Sequence, residues 1–517
     1  MADSPLSKAT IANGAQRSDV DLEKGASEPN SDLEAATIVP DGEKGNPEEK
    51  DHNVVSWDGP DDPENPMNWT NRKKWSNIAV LSILTIITPL GSSMFAPGIP
   101  RILGEFDDHS SVTATFLLSV YILGFAFGPL AVAPMSEIYG RSLLYNVGNI
   151  LFTIFSVCTA LSNGIGMMMA FRFLMGVAGS VPITIGSGSI ADMMPIEMRG
   201  RAMAAWALGP LLGPCIGPVA GGYLIRAAGW RWVYWLIAIV AGVIAVFTFF
   251  TLKESYAPVI LEKRAARLRK ETGNQALRSQ FADMSSSASE KFKVAIVRPL
   301  KLLFMTPIVT LMALYVAITY GILYLLFSTF SIVFPRYYGF GEGESGLVFI
   351  PSALGMGLGI VIFGTLSDKL VKSNMDSGER HRPEIRLTPY FTLPAGLTIS
   401  IGLFIYGWTI QNRVHFIVPM LGVVIFAFGL MGVMMCVQNY LLDVYPRQAA
   451  SVTAAMAVLR SLAGALLPLC ALDMYDALDM GWGNSLLGFL SLALVPIPLL
   501  FYTFGERIVK RFPPPKL

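Results

Sequence analysis

Two arginines lie inside long apolar segments, where a charged side chain is costly. Arg172 stands in FRFLMGVAGS and Arg460 in AVLRSLAGALLPL. Ionisable residues at membrane depth usually face the interior of a helix bundle and mark the path of a substrate or an ion. We therefore predict that both arginines bind substrate or take part in ion coupling. The alternative for each is a structural role, in which the guanidinium binds backbone carbonyls or polar side chains.

Uncharged polar residues in the apolar segments are further candidates for a substrate cavity. They are Asn149, Tyr320, Tyr324, Gln438, Asn439 and Tyr440. Such residues also join neighbouring helices by hydrogen bonds, which is the alternative for each of them. The first, fifth and seventh apolar segments contain no acidic residue. Because an unpaired cation is expensive in a medium of low dielectric constant, this absence favours neutral or anionic substrates.

A third pattern is GPLLGPCIGPVAGG, in which glycine and proline recur every four residues. The residues concerned are Gly209, Pro210, Gly213, Pro214, Gly217, Pro218, Gly221 and Gly222. Residues four apart lie near one face of a helix, and small residues there let another helix approach closely. In a membrane, neighbouring helices compensate for the hydrogen bonds that proline removes. The pattern predicts a bent, closely packed hinge helix at the interface of two halves, and plain close packing is the alternative.

These residues need elements to position them, and the composition indicates membrane helices. The chain has 517 residues, 52% hydrophobic and 15% charged, whereas soluble domains have about 25% charged residues. A spanning helix needs about 20 apolar residues. Twelve segments meet this need, at 78–97, 112–134, 143–162, 166–191, 202–225, 231–252, 302–334, 345–366, 388–409, 415–442, 450–472 and 483–505. We predict an all-α integral membrane protein whose twelve transmembrane helices form two pseudo-symmetric six-helix bundles, residues 71–252 and 301–506.

Three polar regions flank the bundles. Residues 1–70 hold sixteen acidic residues against five lysines and arginines, which predicts a disordered acidic tail. Residues 253–300 form a basic linker, in which LEKRAARLRKETG suits either a surface helix near anionic lipid or a solvated tether. Residues 507–517 form a short C-terminal tail. Lysine and arginine are concentrated in the linker, the loop between segments 8 and 9 and the C-terminus, so both termini are predicted to be cytosolic.

Charged loop motifs recur at corresponding places in the two halves. SEIYGR (136–141) and LSDKL (366–370) follow the second segment of each half, and ADMMPIEMRG (191–200) and LDVYPRQAA (442–450) end the fourth. The candidate gating residues are Glu137, Gly140, Arg141, Asp192, Arg199, Asp368, Lys369, Asp443 and Arg447. We expect Glu137 to cap or bridge helix ends and Arg141 to pair with Glu137 or Asp192. Such pairs would hold the cytosolic side closed and break when it opens, unless they are only static turns.

Several of these motifs resemble those of the major facilitator superfamily. GPLLGPCIGPVAGG resembles the antiporter motif of its twelve-span drug:proton antiporters, and RFLMGVAGS resembles the span 4 signature that includes Arg172. GPLAVAPMSEIYGRS resembles the signature of the loop between spans 2 and 3, although Glu137 replaces the usual aspartate and Ile138 a common basic residue. MNWTNRKKW, WRWVYW and KESYAPVI are similar to the fungal branch that exports drugs, polyamines and secondary metabolites.

The resemblance implies a secondary transporter that exports small organic molecules by alternating access, driven by the proton gradient and without a cofactor. Export of an organic acid is the alternative that the two arginines suggest, and a membrane sensor that transports nothing is a more remote one. The sequence contains no Walker loop, metal-ligand cluster or nucleophile motif, which argues against an enzyme and an ATP-driven pump. The expected partners are the substrate, protons and the lipid bilayer, and no nucleic acid. The protein is expected to be a monomer in the cell membrane, with the vacuolar membrane as the alternative.

Overall fold

The computed structural model describes residues 53–281, 288–376, 382–445 and 448–512. Within these residues, ten stretches are long and apolar enough to cross a membrane. The last of them, Ser451–Arg511, contains two successive spans, and the Gly-Pro pattern lies in a further long helix, Ile196–Ala228. The predicted all-α fold with twelve transmembrane helices is confirmed.

The first half contains eight helices that form spans 1 to 6. They are α1 (Asn71–Ser93), α2 (Ile99–Glu105), α3 (Ser111–Tyr139), α4 (Arg141–Ala160), α5 (Ile165–Gly179), α6 (Val181–Met193), α7 (Ile196–Ala228) and α8 (Arg231–Thr251). Span 4 consists of α5 and α6, because Pro182 has no backbone N–H to continue the hydrogen-bond ladder across Ser180. Span 1 begins at Asn71, earlier than the predicted residue 78, because polar residues form its first turns.

Within the described residues, the linker contains two α-helices and the second half contains eight. They are α9 (Ala257–Thr272), α10 (Ala288–Met305), α11 (Pro307–Tyr338), α12 (Glu342–Leu347), α13 (Ile350–Asp376), α14 (Pro389–Gln411), α15 (Ile417–Val444), α16 (Ala449–Leu466), α17 (Ala471–Leu494) and α18 (Pro496–Arg511). Spans 7 to 11 are α11, α13, α14, α15 and α16. Span 12 runs from the kink at Asp479 in α17 to the end of α18.

The stretch before span 1 is ordered from residue 53, which differs from the prediction of a disordered tail up to residue 70. Strand β1 (Val54–Val55) pairs in parallel with β2 (Arg278–Ser279) of the linker. The Asp62 carboxylate accepts the backbone N–H of Asp58 at 2.9 Å and a guanidinium N–H of Arg264 at 2.8 Å. The Asp58 amide, aided by Arg264, holds the pKa of Asp62 below its usual range. These bonds fix the segment to α9, which sequence composition does not reveal.

The spans alternate in direction, so Asn71 and Arg511 lie on one side of the molecule, here called the terminal face. The opposite side is the distal face. Helix α1 packs on α7, α3 on α5 and α4 on α8 in the first half, and α15 packs on α13 and α14 in the second. Across the two halves, α3 packs on α16 and α7 on α12. Helix α3 also packs on α11, so α3, α11 and α16 meet where the halves face each other.

The outer surfaces of the helices expose large apolar side chains. Phe249 and Phe250 near the end of α8 are 67% and 76% exposed, and Phe304 is 79% exposed. Soluble monomers rarely expose contiguous apolar surface on this scale. Together with the length of the spans, this surface identifies a multi-pass membrane protein.

Candidate functional site

Arg172 is fully buried on α5 and is held mainly by backbone carbonyls. Its Nε donates to the carbonyl of Leu117 at 2.7 Å, and one terminal nitrogen donates to the carbonyl of Ser92 at 2.9 Å. The other terminal nitrogen donates to the Tyr234 hydroxyl at 2.8 Å. The guanidinium also lies 3.9 Å from the centre of the Phe95 ring.

Arg172 thereby joins four spans of the first half, because its partners come from α1, α3 and α8. Among the described residues, no carboxylate pairs with it. Carbonyl dipoles and aromatic faces compensate for the buried charge in place of a counter-ion. This geometry suits the structural alternative for Arg172, and its role in substrate or ion coupling stays a prediction.

A second cluster lies where the halves meet, and we call it the interface cluster: Ser92, Tyr320, Tyr324 and Arg460. The Tyr320 and Tyr324 rings on α11 are 5.0 Å apart, and the Arg460 guanidinium lies 4.8 Å from the centre of the Tyr320 ring. The Tyr324 hydroxyl interacts with the side chains of Ser92 and Tyr320. The structure therefore brings Tyr320 and Tyr324, two of the predicted cavity residues, together with Arg460.

The interface cluster is connected to Arg172 through Ser92. The backbone carbonyl of Ser92 accepts a hydrogen bond from Arg172. The Ser92 hydroxyl donates to the backbone carbonyl of Pro89 at 2.6 Å and interacts with Tyr324. A chain of polar contacts thus runs from the buried arginine of the first half to Arg460 of the second. The Nε of Arg460 is buried and has no hydrogen-bond partner among the described residues. Leaving a buried donor unpaired costs about 1–3 kcal/mol.

The distal face is closed by contacts between the halves. The Ser111 hydroxyl donates to the Asp473 carboxylate at 2.7 Å, and Arg101 lies 3.9 Å from Glu342. Backbones also meet closely, since a Cβ atom on Gly346 would lie 2.2 Å from the Pro218 carbonyl oxygen. These contacts separate the interface cluster from the distal side.

On the terminal face, the first half forms a compact polar group, the first terminal cluster: Ser136, Arg141, Asp192, Glu254 and Tyr256. Arg141 donates from Nε to Asp192 at 3.3 Å and from a terminal nitrogen to the Ser136 hydroxyl at 2.6 Å. Its guanidinium lies 4.7 Å from the Tyr256 ring centre. Burial raises the pKa of Tyr256, which keeps the ring neutral as the arginine's partner. The cluster joins spans 2, 3, 4 and 6.

The carboxylate that caps the start of α4 is that of Glu254, whereas Glu137 was expected to cap or bridge helix ends. The Glu254 carboxylate accepts the backbone N–H groups of Arg141 and Ser142 at 2.9 and 3.2 Å. A carboxylate at a helix N-terminus satisfies free N–H groups and favours the helix dipole. Gly140 has a φ of 96°, and a Cβ atom there would lie 2.3 Å from the Glu254 carboxylate. Glu137 is exposed and lies near Tyr256, and it caps no helix end among the described residues, so its predicted capping role is wrong.

The second half repeats this arrangement in a second terminal cluster: Ser367, Arg386 and Asp443. Arg386 donates from Nε to Asp443 and from a terminal nitrogen to the Ser367 hydroxyl at 3.0 Å. The partner of Asp443 is thus the arginine that precedes span 9, as Arg141 precedes span 3. Lys369 is exposed, while the Asp368 side chain and Arg447 lie outside the described residues.

Among the described residues, Arg199 and the remaining cavity candidates make no hydrogen bond or ring contact with the interface cluster. Arg199 donates to the carbonyls of Ala191 and Met194, which closes the last turn of α6. Tyr440 is fully buried near Glu384 and Gly505 at the terminal end of α15. Gln438 and Asn439 are half-buried on the same helix, and Asn149 is buried on α4. The structure therefore separates Tyr440 from Tyr320 and Tyr324, although the sequence analysis grouped them.

The Gly-Pro pattern faces α1, inside the first half, rather than the interface of the halves. A Cβ atom at Gly221 would lie 1.7 Å from the Met94 carbonyl oxygen, and one at Gly209 would lie 2.6 Å from the Thr85 backbone. At its distal end, Gly222 packs against Glu342 of the other half. The structure therefore agrees with the prediction that this helix is closely packed. Only the distal end of the pattern lies at the interface of the two halves, where the whole pattern was predicted to lie.

Hydroxyl groups on α1 bind carbonyls that the prolines of α7 leave without a helical donor. Pro210 and Pro218 have no N–H for the carbonyls four residues earlier, which are those of Trp206 and Pro214. Thr85 donates to the Trp206 carbonyl at 3.3 Å, and Ser93 donates to the Pro214 carbonyl at 3.0 Å. Helix α7 consequently runs without interruption through its three prolines.

Sequence reasoning missed Arg386, Tyr234 and the pairs that close the distal face. Arg386 had a usable signal, because it stands directly before span 9 as Arg141 stands before span 3. Tyr234 and Asp473 had none, since their partners Arg172 and Ser111 lie 62 and 362 positions away in the chain. Only the packing of the helices brings these residues together.

Comparison with known proteins agrees with this architecture. Residues 81–468 match the sequence profile of the Major Facilitator Superfamily. The chain is 50% identical to the efflux pump radE of Floropilus chiversii, over 89% of this chain and 86% of that protein. It is 47% identical to the MFS-type transporter penM of Penicillium rubens, over 89% of this chain and 90% of that protein.

Solved structures show the same fold at much lower sequence identity. A bacterial homologue of the human lysosomal transporter Spinster, in an inward-facing and unoccupied conformation, is similar with a TM-score of 0.60 and 14% identity. The match covers 86% of this chain and 99% of that one. On the profile match, the close relatives and the twelve-helix fold, the chain belongs to the major facilitator superfamily.

Proposed function

We propose that this transporter exports small organic molecules by alternating access, coupled to the entry of protons. The observation on which this rests is the asymmetry of the contacts between the halves. The distal face is closed by Ser111–Asp473 and Arg101–Glu342, whereas the ion pairs Arg141–Asp192 and Arg386–Asp443 on the terminal face each lie within one half. A substrate would enter from the terminal face and reach the interface cluster.

The direction of transport and the orientation rest on two further supports. The relative from Floropilus chiversii is named an efflux pump, and it shares half of its aligned residues with this chain. The concentration of lysine and arginine in the linker and the C-terminus favours a cytosolic terminal face. Uptake from the cytosol and release at the distal face would then constitute export across the cell membrane.

Accumulation assays in yeast would test the proposal. Cells with and without the protein receive a labelled cation, a neutral amphiphile and a carboxylic acid, each with and without a protonophore. We expect lower accumulation of at least one compound, and the protonophore should abolish the difference. Equal accumulation of all three, with the protein present at the cell surface, would refute broad export. A difference that survives the protonophore would refute proton coupling.

Alternating access has a separate test on the distal face. The double variant Ser111→Cys, Asp473→Cys in a Cys470→Ser background places two thiols where a 2.7 Å hydrogen bond now joins the halves. Oxidation should stop transport and reduction should restore it, because the distal face must open for release. Each single cysteine variant is the matched control. Transport that continues with the disulfide formed would contradict the mechanism.

A second candidate function, export of an organic acid, is favoured by Arg460. Its buried Nε lacks a hydrogen-bond partner among the described residues, and it lies at the interface between the halves. A carboxylate or phenolate on the substrate would satisfy this donor. If the acid is the compound exported, Arg460→Gln should reduce its export at least tenfold while export of a neutral amphiphile changes little. Equal effects on both compounds would exclude this reading of Arg460.

A further inference from the structure

A concave basic site lies on the terminal face, outside the path between the halves. It has a volume of about 370 Å³ and is lined by Trp69, Lys73, Lys253 and Lys263, with Glu64 and Arg267 at its wall. This volume falls within the range of about 300–1,000 Å³ that small-molecule sites occupy. The interface cluster contributes none of its lining residues, so the site is distinct from the candidate transport site.

The position of the lysines puts the site at the level of the lipid headgroups. Lys73 stands in the first turn of α1, and Lys253 follows the last residue of α8 by two positions. These are the ends of spans 1 and 6, where the hydrocarbon gives way to headgroups. The Trp69 ring, a side chain typical of that boundary, lies 3.6 Å below the Lys73 ammonium.

The charges in the site are unbalanced. Arg264 and Arg267 are paired with carboxylates of the segment before span 1, namely Asp58, Asp62 and Glu64. The Glu254 carboxylate is occupied by backbone N–H groups. Among the described residues, no carboxylate lies within ion-pair distance of Lys73, Lys253 or Lys263, and Lys73 and Lys253 are close enough to repel each other. Three lysines therefore line the site with no counter-ion from the described part of the chain.

The walls of the site are held in place by contacts that do not involve the three lysines. Arg264 bonds to Asp58 and Asp62, and the pairing of β1 with β2 fixes the far end of the linker segment. Leu261 and Ala265 of α9 are buried against the protein. The site is thus preorganised, which lowers the cost of binding a ligand.

We propose that this site binds a phosphate-ester anion at the membrane surface, the headgroup of an anionic phospholipid with more than one phosphate. Ammonium groups on flexible stems bind phosphate oxygens as point charges, and three of them match a multiply charged headgroup. The acyl chains of such a lipid would extend along the outer surfaces of α1 and α8. The same chemistry would also accept a soluble inositol phosphate, and the experiment separates the two sources.

Binding to the purified full-length protein in neutral detergent tests the proposal. The probes are dioctanoyl phosphatidylinositol bisphosphate, dioctanoyl phosphatidylcholine, inositol trisphosphate and inorganic phosphate, and native mass spectrometry and thermophoresis measure stoichiometry and affinity. We expect one bisphosphate lipid per protein, no binding of phosphatidylcholine, and an affinity that falls as salt is raised. Each of Lys73→Gln, Lys253→Gln and Lys263→Gln should weaken binding about fivefold, and the triple variant about a hundredfold.

Two controls make the result specific to the site. Lys301→Gln removes an exposed charge from α10 on the same face and should leave the affinity unchanged. Replacing all three lysines by arginine keeps the charge and should retain binding within about threefold, which also excludes misfolding as the cause of a loss. Lipid binding that the triple glutamine variant keeps would overturn the proposal. Inositol trisphosphate binding as tightly as the lipid, with the same lysine dependence, would overturn the lipid assignment in favour of a soluble phosphate.

Discussion

Alanine substitutions along the Gly-Pro pattern should destabilise the protein in an order set by the distance to α1. A Cβ atom would lie 1.7 Å from the carbonyl oxygen of Met94, the residue that follows α1, at Gly221, and 2.6 Å, 2.9 Å and 3.1 Å from the nearest atom of α1 at Gly209, Gly213 and Gly217. A Cβ atom essentially never lies within 3.0 Å of a non-bonded heavy atom. In Gly221→Ala, α7 and the Met94 carbonyl must therefore move apart by at least 1.3 Å. The obstacle is the Met94 backbone carbonyl, which cannot rotate away as a side chain would.

The size of the effect follows from the cost of overpacking. Inserting a methyl group into a closely packed contact costs roughly 1–3 kcal/mol, and Gly221→Ala belongs at the upper end. At about 2–4 °C per kcal/mol for a unit the size of one bundle, its melting temperature should fall by roughly 6–12 °C. The melting temperature of Gly217→Ala should fall by no more than about 3 °C. Gly242→Ala in α8 is the matched control, because its Cβ atom would lie 3.6 Å from the Thr153 methyl group and so fits.

The assay is the melting temperature of fluorescent fusions in detergent, followed by size-exclusion chromatography after heating. Gly242→Ala should equal the parent protein or exceed it slightly, because alanine favours a helix more than glycine does. Export activity should fall in the same order as stability. A melting temperature of Gly221→Ala within 1 °C of that of Gly242→Ala would refute the packing argument. So would an order of the four variants unrelated to the distances.

Three further predictions concern charged groups. Arg386→Ala, which removes the Arg386–Asp443 pair, should reduce export and stability as much as Arg141→Ala does. In a double-mutant cycle with Asp443→Ala, the coupling energy between the two residues should be about 0.5–3 kcal/mol. Additive effects of the two single substitutions would refute the pairing. Tyr256→Phe should keep the aromatic contact with Arg141 and the melting temperature, whereas Tyr256→Leu should lose about 0.5–2 kcal/mol, which equal melting temperatures would contradict. The folded-state pKa of Asp62 is lowered, so this carboxylate helps to hold residues 53–64 on the linker. Its contribution should be complete above the unfolded pKa of about 3.9 and should be lost as the pH falls through the folded pKa. Hydrogen exchange of residues 53–64 between pH 7 and pH 3 measures this loss, and Asp62→Asn should remove the pH dependence of the exchange.

The twelve spans and the broad position of the terminal clusters were predictable from the sequence. A run of about 20 apolar residues can be recognised locally in the sequence. Arg141 and Asp192 were predicted because they stand in charged motifs at the ends of spans. The positive φ of Gly140 also has a local signal, since glycine is the residue that adopts it without strain. Features that depend only on residues close together in the chain could therefore be predicted from the sequence.

Contacts that depend on how the helices pack were not accessible. The sequence offered Glu137 as the residue that caps or bridges helix ends, yet the carboxylate at the start of α4 is Glu254, which comes from the end of span 6, 113 positions after Arg141. The Gly-Pro pattern indicated close approach, but which helix approaches is decided by the fold, and that helix is α1. Likewise, Arg172 was recognisable as buried, while its carbonyl and Tyr234 partners emerge only once α1, α3 and α8 surround it.

The attachment of the linker determines where distance probes should be placed on this protein. Residues 253–279 are bound at Glu254, at Arg264 and through the pairing of β1 with β2, so this part of the linker moves with the first half. A fluorophore on the exposed Glu271 would therefore report the position of the first half itself, although it lies between the halves in sequence. Paired with a second fluorophore on the exposed Lys369 of span 8, it would measure how far the terminal face opens.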